Sequence, residues 1–473
     1  MNHQNLLYKI PPEILKVIND LKTASFEAYL VGGCVRDLLL NNPPKDYDIA
    51  TNAKPEEISK VFPESVTTYA KFGTVLVLTK DEHKETHPVE VTTYRSEMDY
   101  RDGRWPMKVE FTSKLSKDLG RRDFTINALA MEIKDNETDI IDLFNGVSDL
   151  HKGVIRAVGT PQLRMEEDGL RGFRACRLAS TLEFEVEGET FSAISKAKSV
   201  SAQVSVERIR DEFIRLLMES HKPSIGIELL RRTGLLELFL PELLEGIGVT
   251  QPEYHVDDVY HHLLACVDVA LDELKLAALF HDIGKPRVKN VEFEQKYLQR
   301  LLKKGKVIPK HHFFGHDEES ARMTEEILVR MKFPKVEIKK TVSLVRWHMF
   351  YYQDEWSDGA VRRFIKRVGG EENVDLLFKL RIADADSNPK SEFTPAEIQK
   401  LEERIAEVRA KEMILSVNDL AINGKDLMGL GVPEGPIIGQ ILQHLLKEVI
   451  EDPILNEREK LLSISKNQIK NKL

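Results

Sequence analysis

The hydrophobic pattern of the chain changes its period near residue 157, and this change limits the folds that the chain can adopt. Up to that point short β-branched runs alternate with helical segments, and the runs GTVLVLTK and PVEVTTY are expected to form a strand pair. From Thr160 onward strand signals nearly vanish, and Leu170, Phe173 and Leu178 follow the spacing of a helix. We therefore predict an α+β fold in which a small head with a mixed β-sheet and helices precedes an all-helical remainder.

Two breaks divide the helical part of the sequence. The run EGIG at 245–248 precedes a histidine-rich region, and the run NPKS at 388–391 precedes the last helical segment. A chain of 473 residues also suggests roughly three domains as a prior. We predict a head at 1–157, a helical neck at 158–245, a histidine-rich domain at 246–390 and a helical C-terminal region at 391–473.

Composition excludes several classes of protein. The three cysteines, Cys34, Cys176 and Cys266, are too few and too far apart for a disulfide framework or a four-thiolate zinc site. The first residues lack the basic-then-apolar order of a signal peptide, and no apolar run approaches the ~18 residues of a membrane span. We expect a soluble, cytoplasmic protein that has no contact with membranes.

The formal net charge of -9 argues against a protein that holds nucleic acid by bulk positive charge. Local basic surfaces remain open at three places, each of which is equally well explained as a solvated helix face. These places are the pair Arg121 and Arg122, the pair Arg231 and Arg232, and the run RRFIKR at 362–367.

Acidic residues near a glycine pair form the first chemical pattern. Asp46 and Asp48 are two apart in the strand-like run KDYDIAT, so both carboxylates are expected on one face of the sheet. Upstream, Gly32 and Gly33 stand where a strand turns into a helix, a position that exposes backbone N–H groups to an anion such as triphosphate. With Glu90 on a later strand, the acids suit two metal ions, one for the attacking hydroxyl and one for the leaving group.

The runs LVGGCVRDLLL, KDYDIATNAKPEEI, VEVTTYR and DLGRRDFTINALAM, in this order and spacing, resemble the class II tRNA nucleotidyltransferase and bacterial poly(A) polymerase family. The resemblance implies that Asp46, Asp48 and Glu90 are catalytic and that the two aspartates bind Mg²⁺. It also implies a group of residues that contact the incoming nucleotide, namely Gly32, Gly33, Arg36, Arg121, Arg122, Asp123 and Asn127, while Asp37 belongs to the glycine motif. Asp142, Gly146 and Asp149 match the head-to-neck motif of the family.

The run EEDGLRGFRACRL matches the family element that replaces a nucleic-acid template, which implies that Asp168, Arg171 and Arg174 bind the nucleotide. Asp168 would accept from the exocyclic amine of cytosine or adenine, and Arg171 would donate to ring acceptors. Guanine and uracil carry a carbonyl where cytosine and adenine carry that amine. A carbonyl facing the Asp168 carboxylate would leave two hydrogen-bond acceptors opposed, which is a basis for rejecting these bases. Taken without the resemblance, the two residues are three apart and could form a salt bridge on one helix face. Gly169 and Gly172 lower helix stability by roughly 1 kcal/mol each relative to alanine, so we expect local flexibility there.

Histidines and aspartates between 254 and 386 form the last pattern. The adjacent pair His281 and Asp282 ends an apolar helix, where neither residue is a comfortable core residue. Together with a histidine upstream and an aspartate downstream, the pair resembles the HD phosphohydrolase superfamily and implies a divalent metal ion. The implied ligands are His262, His281, Asp282 and Asp384, with Asp386 as an alternative to Asp384, and with His316 and His348 available for a second metal ion or a phosphate. The implied chemistry is hydrolysis of phosphoesters such as 2′,3′-cyclic or 2′-phosphates.

The expected function is addition of CCA to the 3′ end of tRNA from CTP and ATP. The segment 94–111 occupies the place of the family's nucleotide-switching loop without an evident deletion, which favours full CCA addition over a CC-adding or A-adding specialist. The short, mildly basic end of the chain disfavours a poly(A) polymerase. A protein of another class, an HD phosphohydrolase with an RNA-binding head, is disfavoured by the intact acids of the head. The charged stretch at 286–310 is expected to be a lid or an insertion.

Overall fold

The structure is a computed structural model that describes residues 6–80, 85–101, 105–251, 258–288, 313–350, 356–388, 390, 395–411 and 416–472. The chain separates into two compact units, Met1–Pro241 and Glu242–Leu473. The finer division into four segments stays a prediction. Residues 289–312, which include most of the expected lid or insertion, lie outside the described residues.

The first unit contains all the strands of the described chain. They are β1 (Ala28–Val31), β2 (Asp48–Thr51), β3 (Thr74–Lys80), β4 (Thr86–Thr93), β5 (Arg95–Arg101), β6 (Trp105–Phe111), β7 (Leu129–Lys134), β8 (Glu137–Asp142), β9 (Val154–Ile155) and β10 (Glu185–Val186). Six of them form one sheet in the order β3-β4-β2-β1-β7-β8. Within this sheet only β2 and β4 pair in parallel, so the sheet is mixed, as the sequence predicts. The strands β5 and β6 form a separate antiparallel hairpin.

Alternating side chains of the sheet supply the core of the head. The predicted pair β3 and β4 is antiparallel, and its register sets Val75 beside Val91 and Val77 beside Val89, all four buried. The helix Pro12–Thr23 covers this face with apolar residues spaced by three and four, namely Ile14, Val17, Ile18 and Leu21. Each such burial contributes about 1.5–3 kcal/mol. The sheet is therefore a stiff support for the residues at its edges.

The remaining helices of the first unit lie between the strands and after them. They are Gly33–Leu39, Pro55–Val61, Leu115–Gly120, Gly146–Lys152, Pro161–Glu167, Leu170–Leu182, Gly188–Lys196, Lys198–Ser201, Val206–Glu219 and Pro223–Arg232. One detail departs from the predicted all-helical neck, because β10 pairs in parallel with β9. A strand of two residues is too short to give a hydrophobic alternation, which explains why the sequence does not reveal it.

The second unit is helical throughout its described part. Its helices are Val259–Val269, Lys275–Phe280, Lys285–Val288, His316–Arg330, Lys335–Trp347, Asp358–Val368, Glu371–Asp386, Pro395–Lys411, Gly424–Gly429, Pro436–Glu451 and Arg458–Lys472. Near the C-terminus, Leu427, Leu445, Val449 and Leu461 form a cluster of their own. Among the described residues, no helix combines the length and the apolar character that crossing a membrane requires.

A tight turn after β8 is built around Gly146. The Asp142 carboxylate accepts the backbone N–H of Gly146 at 2.8 Å and that of Val147 at 3.0 Å. A Cβ atom on Gly146 would lie 2.2 Å from the carbonyl oxygen of Thr125. Thr125 in turn donates its hydroxyl to the buried Asp149 at 2.7 Å. Only glycine allows these two backbone segments to approach so closely.

We predict that Gly146→Ala destabilises the first unit, because the new methyl group must push two hydrogen-bonded segments apart. The expected loss is about 1–3 kcal/mol in the free energy of unfolding, the usual range for overpacking. The matched control is Gly188→Ala, where a Cβ atom would meet nothing within 4 Å. Thermal unfolding of the full chain checks this, and equal midpoints for the two variants would contradict it.

Candidate active site and metal centre

The parallel pairing of β2 and β4 brings the predicted catalytic acids together. Asp48 and Glu90 are direct partners in the strand register. Asp46 lies in the bend before β2, so the expectation that both aspartates belong to the strand is correct only for Asp48. All three side chains line one open cavity with a volume of about 1230 Å³.

Burial and like charges disfavour ionisation of Asp48 and Glu90. Burial raises the pKa of Asp48; Arg122 opposes that shift, and Asp46 adds to it. Burial raises the pKa of Glu90 as well, with further contributions from Asp48 and Asp46. A divalent cation between such carboxylates would remove the repulsion, and a set of oxygen ligands fits a hard cation such as Mg²⁺.

The glycine pair forms the turn between β1 and the helix Gly33–Leu39. Gly32 has a φ of 82°, and a Cβ atom there would lie 2.6 Å from Nη1 of Arg122. The N–H of Gly32 donates to the carbonyl of Leu129 at 3.0 Å, so that group is already used within the fold. Gly33 lines the cavity. The turn therefore lets the arginine approach the backbone beside the acids.

A chain of polar contacts runs from this turn to the helix Leu170–Leu182. Arg36 donates to Oδ1 of Asn127 at 2.8 Å, and Nδ2 of Asn127 donates to Asp123 at 3.2 Å. Nη2 of Arg174 lies 2.9 Å from Oδ2 of Asp123. Burial alone would raise the pKa of Asp123, but Arg174 and Arg171 hold it below its usual value. Four residues singled out from the sequence thus form one connected set in the cavity wall.

Asp118 is a member of this wall that the sequence reasoning missed. It is 1% exposed, and its two oxygens lie 2.9 Å from Arg121 and 3.4 Å from Arg122. Burial opposes its charge, but the two arginines lower the pKa of Asp118. Spacings of three and four residues to the two arginines were the available signal. The pair Arg121 and Arg122 is therefore not simply a solvated basic patch.

The predicted template aspartate does not lie on a helix. Asp168 has extended backbone geometry, with φ −146° and ψ 109°, between the helices Pro161–Glu167 and Leu170–Leu182. A Cβ atom on Gly169 would lie 2.6 Å from Cα of Ser201, and the Ser201 hydroxyl donates to the Gly169 carbonyl at 3.0 Å. Close packing therefore accounts for this glycine without local flexibility. Gly172 likewise packs against Ile194 and Leu235.

The side chains of the template element are held in ion pairs. Nη1 of Arg171 lies 2.5 Å from Glu167 and donates to the carbonyl of Arg164 at 2.7 Å. Asp168 pairs across the cavity with Arg208, whose Nη2 lies 3.0 Å from Oδ2. The sequence analysis does not identify Arg208 as a site residue, because periodicity carries no information on contacts between distant segments. Asp168, Arg171, Arg174 and Arg208 all line the same cavity as the three acids.

In the second unit the predicted histidines and aspartates converge on Asp282. On one side, Nε2 of His262 lies 3.1 Å from Asp384 and 3.5 Å from Oδ2 of Asp282. Nε2 of His281 lies 3.4 Å from the same Oδ2 atom. It is Asp384, and not the alternative Asp386, that contacts His262 in this cluster. The ligand atoms of His262, His281 and Asp282 lie within 4.8 Å of one another.

The other oxygen of Asp282 faces a second histidine pair. Oδ1 lies 3.2 Å from Nε2 of His316 and 3.5 Å from Nε2 of His348. The two Nε2 atoms are 3.3 Å apart. Asp282 therefore stands between two sets of ligands, and each set can hold a metal ion.

Three of these histidines present the same ring nitrogen to the cluster. Their Nδ1 atoms lie within 2.6–2.8 Å of the carbonyls three residues earlier: His281 of Ala278, His316 of Phe313 and His348 of Val345. Each Nδ1–H thus donates to the backbone, which leaves Nε2 free to bind a metal ion. Burial would lower the pKa of His281, yet Asp282 and Asp384 raise it to about 10. The donor set of imidazoles and carboxylates fits a transition metal.

Comparison with known proteins agrees with the arrangement of the head. Residues 28–156 match the family model "Poly A polymerase head domain". Residues 183–246 match "Probable RNA and SrmB- binding site of polymerase A", and residues 312–464 match "tRNA nucleotidyltransferase domain 2". The head model thus covers the residues that form the three-acid site.

Similar proteins span nearly the whole chain. A CCA-adding enzyme of Ligilactobacillus salivarius is 34% identical over 99% of this chain and 100% of its own length. A CCA-adding enzyme of Streptococcus gordonii is 46% identical over 96% of this chain and 97% of its own length. The crystal structure of the Bacillus stearothermophilus CCA-adding enzyme in complex with CTP is 27% identical, with a TM-score of 0.68 over 98% of this chain and 99% of that one. On this full-length similarity, the chain belongs to the family of CCA-adding enzymes.

Proposed function

We propose that this chain adds CCA to the 3′ end of tRNA from CTP and ATP, with Mg²⁺ in the head and no nucleic-acid template. One observation carries the proposal: a single cavity is lined by the three acids and by the residues predicted to read the base, Asp168 and Arg171. The names of full-length relatives support the same reaction. The tRNA, CTP and ATP are therefore the proposed partners.

The acids would bind the metal ions of the reaction. Asp46 and Asp48, with Glu90 beside Asp48 in the register, offer oxygen ligands at two neighbouring inner strands of the sheet. Bound Mg²⁺ supplies charge stabilisation for the attacking 3′ hydroxyl and the leaving pyrophosphate. Gly33, Arg36 and Arg122 lie in the same wall, where N–H and guanidinium donors can hold the triphosphate.

We assign base selection to the kink at Asp168, between the helices Pro161–Glu167 and Leu170–Leu182. The Asp168 carboxylate accepts from an exocyclic amine, and the Arg171 guanidinium, which also lines the cavity, donates to ring acceptors. A uracil or guanine carbonyl facing Asp168 would leave two acceptors opposed. Arg174 holds Asp123 and so keeps the wall that faces the nucleotide in place.

Full CCA addition is preferred to the partial reactions. The segment proposed to switch from CTP to ATP forms the hairpin β5–β6, with residues 102–104 outside the described part. A hairpin of two seven-residue strands is long enough to move relative to the sheet. CC-adding or A-adding specialists and poly(A) polymerases would share the three acids, so only the product can separate these alternatives.

We predict that purified protein adds three residues to tRNA that lacks its CCA end and then stops. The measurement is product length with CTP alone, with ATP alone and with all four nucleotides present. CTP alone should give two added residues, and ATP alone should give addition only on tRNA that already ends in CC. A long A tail would make the protein a poly(A) polymerase, and arrest after CC in the presence of ATP would make it a CC-adding specialist.

We predict that Asp48→Asn and Glu90→Gln each lower the rate of nucleotide addition by about 10³-fold or more. Loss of one carboxylate weakens metal binding, which is worth several kcal/mol, and each 1.36 kcal/mol is about tenfold in rate. The matched control is Asp139→Asn, an exposed carboxylate on β8 of the same sheet. The variants should still bind tRNA in a gel-shift assay. Full activity of either variant would exclude the acid site.

A second activity is proposed for the cluster around Asp282. We propose that it binds one or two divalent transition-metal ions and hydrolyses phosphoesters, as the resemblance to HD phosphohydrolases implies. One observation supports this proposal: Nε2 of His281 and Nε2 of His316 each lie near a different oxygen of Asp282. The Nδ1–H groups of both histidines donate to backbone carbonyls. A bound metal ion would supply an activated water for hydrolysis. Nζ of Lys285 lies 2.5 Å from Oδ2 of Asp282 and offsets the buried charge of that carboxylate.

We predict that His281→Ala abolishes hydrolysis of 2′,3′-cyclic phosphates and lowers the transition-metal content of the purified protein, while CCA addition is unchanged. The two activities separate because the acids and the histidines belong to different units. The control is His261→Ala, whose side chain is 58% exposed and pairs with Asp258. Metal analysis by mass spectrometry and assays of both activities check this. Unchanged metal content and hydrolysis in His281→Ala would remove the cluster as the site.

A further inference from the structure

The pairing of Asp168 with Arg208 gives the base-reading carboxylate a partner from a distant segment. Arg208 lies on the helix Val206–Glu219, forty residues after Asp168 in the chain. Its Nη2 atom donates to Oδ2 of Asp168 at 3.0 Å and approaches Oδ1 at 3.4 Å. Oδ1 also accepts the backbone N–H of Leu170 at 3.0 Å. Both oxygens therefore have a donor before any nucleotide is bound.

We propose that Arg208 is a specificity-determining positioning residue: it orients the Asp168 carboxylate so that its free lone pairs face the exocyclic amine of cytosine or adenine. This inference rests on the proposed CCA addition and on the assignment of base reading to Asp168. It assigns a role to the helix Val206–Glu219 that goes beyond support of the neck.

The backbone alone does not hold the Asp168 side chain in place. Asp168 is in an extended conformation at a break between two helices, where no helical neighbour restricts its side chain as a preceding turn would. The Leu170 N–H contacts only one of its two oxygens. Nη2 of Arg208 contacts both oxygens, and together with the Leu170 N–H it restricts rotation of the carboxylate.

The lone pairs of the carboxylate leave room for a base. An ionised carboxylate offers about four acceptor sites on its two oxygens. Leu170 takes one on Oδ1, and Arg208 takes one on Oδ2 with a longer approach to Oδ1. At least one site stays available for an amine, and none can donate to a carbonyl. The pair thus keeps Asp168 an acceptor of defined direction, which is what discrimination between amine and carbonyl requires.

The opposing explanation is that the ion pair is only structural. A structural ion pair would hold the helix Val206–Glu219 against the backbone at Asp168 and would not influence which base is chosen. The side chains of Arg208 and Asp168 are 29% and 21% exposed, so the pair is accessible to a ligand from the cavity that both residues line. The two explanations differ in one measurable quantity, the ratio of kcat/KM for the correct nucleotide to kcat/KM for the incorrect one.

The test is single-nucleotide incorporation by the purified full chain on tRNA lacking CCA and on tRNA ending in CC. The variants are Arg208→Met, Arg208→Lys, Asp168→Ala and the double variant Arg208→Met/Asp168→Ala. Arg210→Met is the matched control, because Arg210 lies two residues along the same helix and pairs with Asp211 at 2.7 Å. Values of kcat and KM are measured for CTP, ATP, UTP and GTP, and thermal unfolding confirms that each variant is folded.

We predict that Arg208→Met lowers the CTP-to-UTP and ATP-to-GTP ratios of kcat/KM by about tenfold, near the lower end of the worth of one base contact. Arg208→Lys keeps a positive charge and one donating nitrogen on a shorter and more flexible side chain, so it should recover part of this selectivity. Arg210→Met should equal the wild type. The double variant should match Asp168→Ala alone, because Arg208 acts through that carboxylate.

Each of the other outcomes overturns the inference. Equal losses of kcat/KM for all four nucleotides in Arg208→Met would show that the ion pair is only structural. Additive effects in the double variant would mean that Arg208 acts independently of Asp168. If Arg208→Met does not fold, the ratios in Arg208→Lys decide: a lowered CTP-to-UTP ratio supports the inference, and a wild-type ratio counts against it. Unchanged selectivity in Asp168→Ala would instead show that the bases are read elsewhere, and failure of the wild type to add CCA would reject the proposed function itself.

Discussion

The buried carboxylate of Asp123 is the constraint on which the rest of the site depends. It is 6% exposed, and a charge at that depth is tolerated only with a close partner of opposite sign. Arg174 provides that partner at 2.9 Å, from the helix that follows the kink at Asp168. Through Asn127 the same carboxylate is connected to Arg36 and the glycine turn. The wall near the acids and the helix Leu170–Leu182 are therefore not independent parts, since neither can be displaced without leaving a charge buried and unpaired.

The two acidic centres of the chain deal with like charge in different ways. In the head, Asp48 and Glu90 lie side by side on paired strands, and burial raises the pKa of both. That site consists of oxygen ligands that a hard cation can neutralise. In the second unit, imidazoles and Lys285 surround Asp282, whose pKa is lowered well below its ordinary value despite burial. A cluster with so many nitrogen donors suits a softer cation, so the two centres differ in the kind of metal ion that their ligands fit.

Features of the structure that depend on local patterns and motif order could be predicted from the sequence, and features that depend on packing could not. Alternation of apolar residues predicted β3 and β4, and the order of short motifs predicted that Asp48 and Glu90 would meet and that His262, His281 and Asp384 would converge. Contacts between distant segments were not predictable in this way. The ion pair of Asp168 with Arg208 follows from packing that leaves no periodic signal. The pairing of Asp118 with Arg121 and Arg122 did have a signal in their spacing, which was missed. The assumption of one continuous helix through Asp168 was wrong because Gly169 packs against the backbone of Ser201. The roles of the site residues and the four-part division of the chain stay predictions.

The register of β2 and β4 restricts how the gene for such a protein can change in length. Successive side chains of a strand point to opposite faces, so inserting or deleting one codon before Glu90 within β4 would turn the carboxylate away from Asp48. The segment between β2 and β3, which contains the helix Pro55–Val61, carries no such restriction because it can grow or shrink without moving either strand. Length variation among related chains should therefore accumulate in that connection and stop at the borders of the paired strands, so that the distance in sequence between the two acids varies while their distance in space does not.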